Sequence, residues 1–186
     1  MNRITAAFQK NAAANRKALV GYLTAGDPNP ETSFDILRAA CASGLDILEL
    51  GVPFSDPTAD GPVIQEASVR ALKAGMTLTK TLEMAARLRR ESDIPILLFG
   101  YYNLLFKYGL DRLAKAAHAA GVDGLLVVDL PPEEAGPLKA ALQGTDIQII
   151  FLAAPTTRPD RVKKIANETG GFLYLITKAG TTGEGG

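Results

Sequence analysis

A chain of 186 residues with 47% apolar content can bury a sizeable core and reads as a single domain. Lys plus Arg (20) balance Asp plus Glu (20), so no surplus charge exists to draw nucleic acid or an anionic membrane. The single cysteine, Cys41, excludes an intrachain disulfide framework and fits a reducing, cytoplasmic setting, and neither a signal-type core nor a run of ~20 apolar residues occurs.

In chain order, residues 4–16 read as an Ala-rich amphipathic helix (2–16 at its widest), followed by an apolar first strand over 18–24 and the break Ala25-Gly26-Asp27-Pro28-Asn29-Pro30. A helix over 31–43 places Phe34, Leu37 and Cys41 on one face, and Gly44 closes it. The second strand, 45–50, runs into a loop rich in Gly, Pro, Asp and Ser. A helical region over 62–90 follows, divided by Gly75, with Leu78, Leu82 and Ala85 in its stripe. Strand three is 94–99. A short apolar turn through Phe106 then leads to a helix over 109–120 whose inner face is Leu110, Leu113 and Ala117. Strand four, 124–128, stops at Asp129-Leu130-Pro131-Pro132, and a helix over 133–142 carries Pro137 awkwardly inside it. Strand five (147–152), a helix (160–168) and strand six (172–176) complete the regular pattern before the Gly-rich 177–186.

The last four strands start about 25 residues apart, the βα period of a parallel sheet wrapped by helices. A weak internal echo accompanies it, since Gly44-Leu45-Asp46 and Gly121-Val122-Asp123 both lead a helix into a strand. The informative loops all follow strands, where ligand sites lie in parallel α/β folds. No glycine-rich dinucleotide fingerprint follows strand one, which disfavours an open nucleotide-binding sheet. A TIM-type (β/α)8 barrel has eight strands in ~250 residues. The expectation is therefore one incomplete α/β barrel domain over 1–186, with six of the eight strands, open edges and a truncated C-terminal side.

Glu49 sits near the C-terminal end of strand two, and Asp60 lies eleven positions later, beyond a loop whose two X-Pro steps and two glycines turn the chain back over the strand mouth. Two acids converging on one mouth suit acid–base chemistry. Taken alone, Glu49 could equally be a strand-end acid paired with a base, and Asp60-Gly61 an ordinary turn. His118, mid-helix among alanines, reads as a surface or packing residue, and Cys41 as helix packing. No His, Cys and carboxylate cluster has metal-ligand spacing, so no metal is expected.

The stretch Leu48-Glu49-Leu50-Gly51-Val52-Pro53-Phe54-Ser55-Asp56-Pro57 through Asp60-Gly61-Pro62-Val63-Ile64-Gln65 resembles the catalytic stretch of the tryptophan synthase alpha chain family. Tyr22-Leu23-Thr24-Ala25-Gly26-Asp27-Pro28, Tyr101-Tyr102-Asn103, Gly121-Val122-Asp123-Gly124 and Asp129-Leu130-Pro131 extend the resemblance over the chain. It implies a lyase of tryptophan biosynthesis that cleaves indole-3-glycerol phosphate, by a retro-aldol step, into indole and glyceraldehyde 3-phosphate. The same resemblance makes Glu49 the acid/base at the ring carbon and side-chain hydroxyl, and Asp60 the acceptor at the indole nitrogen. Tyr22, Tyr101, Leu126, Val128, Leu152 and Tyr174 match its indole pocket, although barrel-core packing accounts equally well for the aliphatic ones. Thr182 and Gly183 match its substrate-closing loop, whereas its main phosphate-binding loops have no counterpart before Gly186.

By the same resemblance the chain needs no cofactor of its own. Its partner is the tryptophan synthase beta chain, which carries pyridoxal phosphate in an alpha2beta2 heterotetramer, and the loop around Asp56 lies at that boundary. Two competing readings are a truncated, non-catalytic binding or regulatory subunit and another lyase or isomerase barrel acting on a phosphate substrate.

Overall fold

The computed structural model describes residues 2–177. Its helices begin where the sequence supplies caps. The Asn2 side chain accepts from Ile4 N to start α1 (Arg3–Ala13), and Asn29 accepts from Thr32 N to start α2 (Pro30–Ala42), where proline holds the first position. Pro62 opens α3 (Pro62–Lys73), Thr77 caps α4 (Leu78–Arg89), and Gly75 between them adopts φ +79°, a conformation that suits glycine at a helix end.

Five strands form one parallel sheet in chain order: β1 (Val20–Thr24), β2 (Ile47–Gly51), β3 (Ile96–Gly100), β4 (Gly124–Val127) and β5 (Gln148–Ile150). A second parallel ladder joins β6 (Leu152–Ala153) to β7 (Tyr174–Leu175). Only Phe151 separates β5 from β6, and its carbonyl accepts from Tyr174 N at 3.1 Å, so the ladder continues into β7. This is an incomplete barrel, in which, among the described residues, β1 and β7 are each paired on one side.

Alternation along the strands sorts side chains into two cores. Leu48, Leu50, Ile96, Leu98, Leu125, Val127, Ile149 and Phe151 face outward onto the helices. Ile47, Leu97, Leu126 and Ile150 face inward and close on Ile4 of α1, which is fully buried and plugs the barrel at the N-terminal ends of the strands. Gly124 makes room for that plug, since a Cβ there would stand 2.9 Å from Ile4 and 2.6 Å from Leu97.

The echoed Gly-Leu-Asp and Gly-Val-Asp segments have one shared structural role. Asp46 accepts from Leu19 N beside β1 and from Asn11 and Arg16 of the N-terminal segment. Asp123 accepts from Ile96 N at the start of β3, from Arg89 of α4 and from Arg3 of α1. Each aspartate thus fixes the start of the preceding strand and ties down the N-terminal segment.

The structure corrects the sequence reading at three places. The stretch after β3 is a helix, α5 (Tyr102–Tyr108), set off from α6 (Leu110–Ala119) by Gly109. Pro137 is not inside a helix over 133–142: a 3-10 turn (Pro132–Glu134) precedes α7 (Gly136–Ala141), and Pro137 sits in its first turn, where a missing N–H costs nothing. Strand five is divided at Phe151, because its first half pairs with β4 and its second with β7. The last helix, α8 (Pro159–Glu168), falls where the spacing places it. His118 is exposed and Cys41 half-buried against the outer core.

Candidate active site

Strand alternation points Glu49 inward near the C-terminal end of β2, directly beside Tyr22 of β1 in the ladder. Glu49 is only 4% exposed, and its Oε1 is buried without a hydrogen-bond partner among the described residues. A carboxylate deprived of water and of donors is disfavoured, so burial pushes the Glu49 carboxyl up to about 7. The site therefore holds a carboxyl that can give and take a proton near neutrality.

Asp60 arrives by a different route. The loop after β2 folds back, Asp60 N donates to Pro57 O at 3.0 Å, and Gln65 of α3 donates to the Asp60 carbonyl at 2.8 Å. Its carboxylate is buried, and Oδ2 accepts a hydrogen bond from the Tyr101 hydroxyl at 3.1 Å. Burial raises the proton affinity of Asp60, and the Tyr101 bond partly offsets that. The Tyr101 oxygen also accepts from Ala59 N at 2.9 Å, and its ring lies 5.1 Å from that of Phe54. Asp129, at the end of β4, accepts from Tyr102 N at 2.7 Å and so caps the helix that Tyr101 enters.

Tyr22 completes the cluster. Its ring lies across Gly51, where a Cβ would come within 2.2 Å of the hydroxyl, and it meets the edge of Phe99 at 5.2 Å. Burial pushes its hydroxyl up to about 12, and the charges of Asp60 and Glu49 add to the shift, so it stays protonated. Tyr174 on β7 is also raised, by burial and then by the charge of Glu49. Tyrosines from the first and last described strands thus feel the same carboxylate.

The structure accordingly gathers Glu49, Asp60, Tyr22, Tyr101 and Tyr174 at the strand ends. Val128 and Leu152 lie partly buried in the interior, whereas Leu126 is fully enclosed with Ile4 and Ile47, surroundings that serve core packing. Thr182 and Gly183 lie outside the described residues. Asp56 is exposed on the β2 loop. Sequence reasoning missed Phe99, Thr24 and Phe54, which contact Tyr22 or Tyr101. Phe99 is hidden in a continuous apolar run, and only its register opposite Gly51 shows which face it takes. Among the described residues no group of three His, Cys, Asp or Glu side chains could hold a metal ion, and no helix is long and apolar enough to cross a membrane.

A buried acid at the C-terminal end of a parallel strand, with a second on the loop that follows it, is the arrangement of a β/α-barrel enzyme of acid–base type. Known proteins agree. The sequence profile of the tryptophan synthase alpha chain family matches residues 8–186. A tryptophan synthase alpha chain of Desulfatibacillum aliphaticivorans is 54% identical over 186 residues, covering all of this chain and 70% of the relative. The crystal structure of the tryptophan synthase alpha subunit of Legionella pneumophila superposes with TM-score 0.90 at 42% identity, over 95% of this chain and 68% of that one. Tryptophan synthase of Mycobacterium tuberculosis superposes with TM-score 0.93 at 36% identity, over 98% and 70% respectively. The chain belongs to the tryptophan synthase alpha chain family. Its members are lyases of tryptophan biosynthesis that cleave indole-3-glycerol phosphate, and membership implies a beta-chain partner.

Proposed function

We propose that Glu49 and Asp60 carry the family's cleavage of indole-3-glycerol phosphate in this chain. The observation that carries the assignment is the buried Glu49 carboxyl, whose Oε1 has no hydrogen-bond partner among the described residues and whose proton affinity burial raises to near neutrality. Neutral Glu49 donates its proton to indole C3, and the positive charge that develops on the ring is met at the N–H by the Asp60 carboxylate. Glu49, now charged, removes the proton from the hydroxyl on the carbon attached to C3. The carbon–carbon bond breaks, its electron pair returns to the ring as neutral indole, and the oxygen becomes the aldehyde of glyceraldehyde 3-phosphate. Glu49 ends protonated, as it began. One carboxyl serves both transfers because its proton affinity lies between extremes.

Tyr22, Tyr101, Phe99 and Tyr174 supply flat surfaces suited to an indole ring. By analogy with the family, the chain works in the cytoplasm in an alpha2beta2 assembly, requires no cofactor itself, and passes indole to a beta chain holding pyridoxal phosphate. Incubating the chain with indole-3-glycerol phosphate and measuring indole tests the activity. Glu49→Gln is expected to lower the rate by roughly two to four orders of magnitude. An unchanged rate in that variant would remove Glu49 from the mechanism.

A further inference from the structure

An aromatic wall for indole requires only the ring of Tyr22, yet its hydroxyl is placed with care. Thr24 Oγ1 donates to it at 3.3 Å, which uses the oxygen as an acceptor and leaves the phenolic proton to point elsewhere. Among the described residues that proton meets no acceptor, although Glu49 and Asp60 both act on the hydroxyl electrostatically. Tyr22 is the ladder neighbour of Glu49, and its ring crosses Gly51, two residues further along β2 toward the mouth. The hydroxyl thus lies on the substrate side of Glu49.

We propose that the Tyr22 hydroxyl is a further substrate-binding group, a neutral donor oriented by Thr24 that holds the side-chain oxygen which Glu49 deprotonates and which becomes the aldehyde. The inference rests on the role given to Glu49 above. Its chemistry is that of a fixed donor aimed at an oxygen whose electron density rises as its proton leaves and before the carbon–carbon bond has broken. In the reverse direction the same bond polarises the aldehyde toward attack. A charged donor in this place would pair with Glu49 and hold it ionised, whereas a phenol stays neutral beside two carboxyls.

The test compares two ligands on the Glu49→Gln chain, in which turnover is suppressed: indole-3-glycerol phosphate, and indole-3-propanol phosphate, which lacks the side-chain hydroxyls. Adding Tyr22→Phe retains the ring. It is expected to weaken the first ligand about tenfold and leave the second within about twofold, with Thr24→Val giving a smaller loss in the same direction. In the active chain Tyr22→Phe should lower kcat more than it raises KM. Equal losses for both ligands, or none for either, would overturn the role of the hydroxyl while leaving Glu49 in place. Failure of the chain to bind indole-3-glycerol phosphate at all would remove both the proposed activity and this assignment.

Discussion

At the residue scale, two carboxyls are distinguished by their neighbours. Asp60 accepts a hydrogen bond from Tyr101, whereas among the described residues Glu49 Oε1 has no partner, so burial acts on Glu49 with little opposition. The folded protein binds the Glu49 proton more tightly than the unfolded chain does. Its contribution to stability is therefore fully present below the ordinary value of 4.5 and is lost as pH rises to about 7. The loss is on the order of 3 kcal/mol. Denaturant titration of Glu49→Gln should show a variant more stable than the parent at about pH 8 and nearly equal to it at about pH 4. The rate of indole release by the parent should decline as pH rises through about 7, since the neutral acid starts the reaction. Tyr101→Phe removes the hydrogen bond donated to Asp60 and the acceptor for Ala59 N. We expect the Asp60 carboxyl to titrate higher in a carbon-13 NMR titration, and stability to fall by about 1–2 kcal/mol.

At the scale of elements, the site depends on one small residue. Gly51 on β2 leaves the space that the Tyr22 ring of β1 fills, and the ring then reaches Phe99 of β3. A methyl group at this position stands 2.5 Å from the phenolic ring carbon, so the ring must leave its place. Gly51→Ala is expected to cost about 1–3 kcal/mol by overpacking and to reduce indole release. Thermal melting of Gly51→Ala in a Tyr22→Ala background checks the cause: with the ring absent, the extra methyl should add little further loss. An additive loss would place the strain in the β2 backbone instead.

At the scale of the whole molecule, the mouth is supported from the opposite end of the barrel. Ile4 fills the interior between β2, β3, β4 and β5, while Asp46 and Asp123 hold the N-terminal segment against the strand starts. Ile4→Ala should cost about 2–5 kcal/mol, because the surrounding strands cannot close on the cavity. Hydrogen exchange checks this, with faster exchange expected in α1 and at the starts of β2 to β5 as one unit. Exchange confined to α1 would show that the plug frays independently of the barrel.

Local patterning determined much of this protein. The βα period, the helix boundary at Gly75 and the spacing of Glu49 and Asp60 are statements about neighbours in sequence, and the elements they predict stand with shifts of a few residues. The helix after β3 was not legible, because Tyr102–Tyr108 is short and its N-terminus is capped by Asp129 from the turn after β4. Pro137 misled for a related reason: the preceding 3-10 turn moves the helix start, so the proline lands in a first turn. Aspartates 46 and 123 read as a faint repeat, and only the fold shows them anchoring the N-terminal segment. The sequence by itself singled out Glu49 and Asp60, the two carboxyls to which we assign the chemistry. Tertiary structure alone decided their condition, since the proton affinity of Glu49 and the placement of Tyr22 over Gly51 arise from burial and register between strands far apart in the chain.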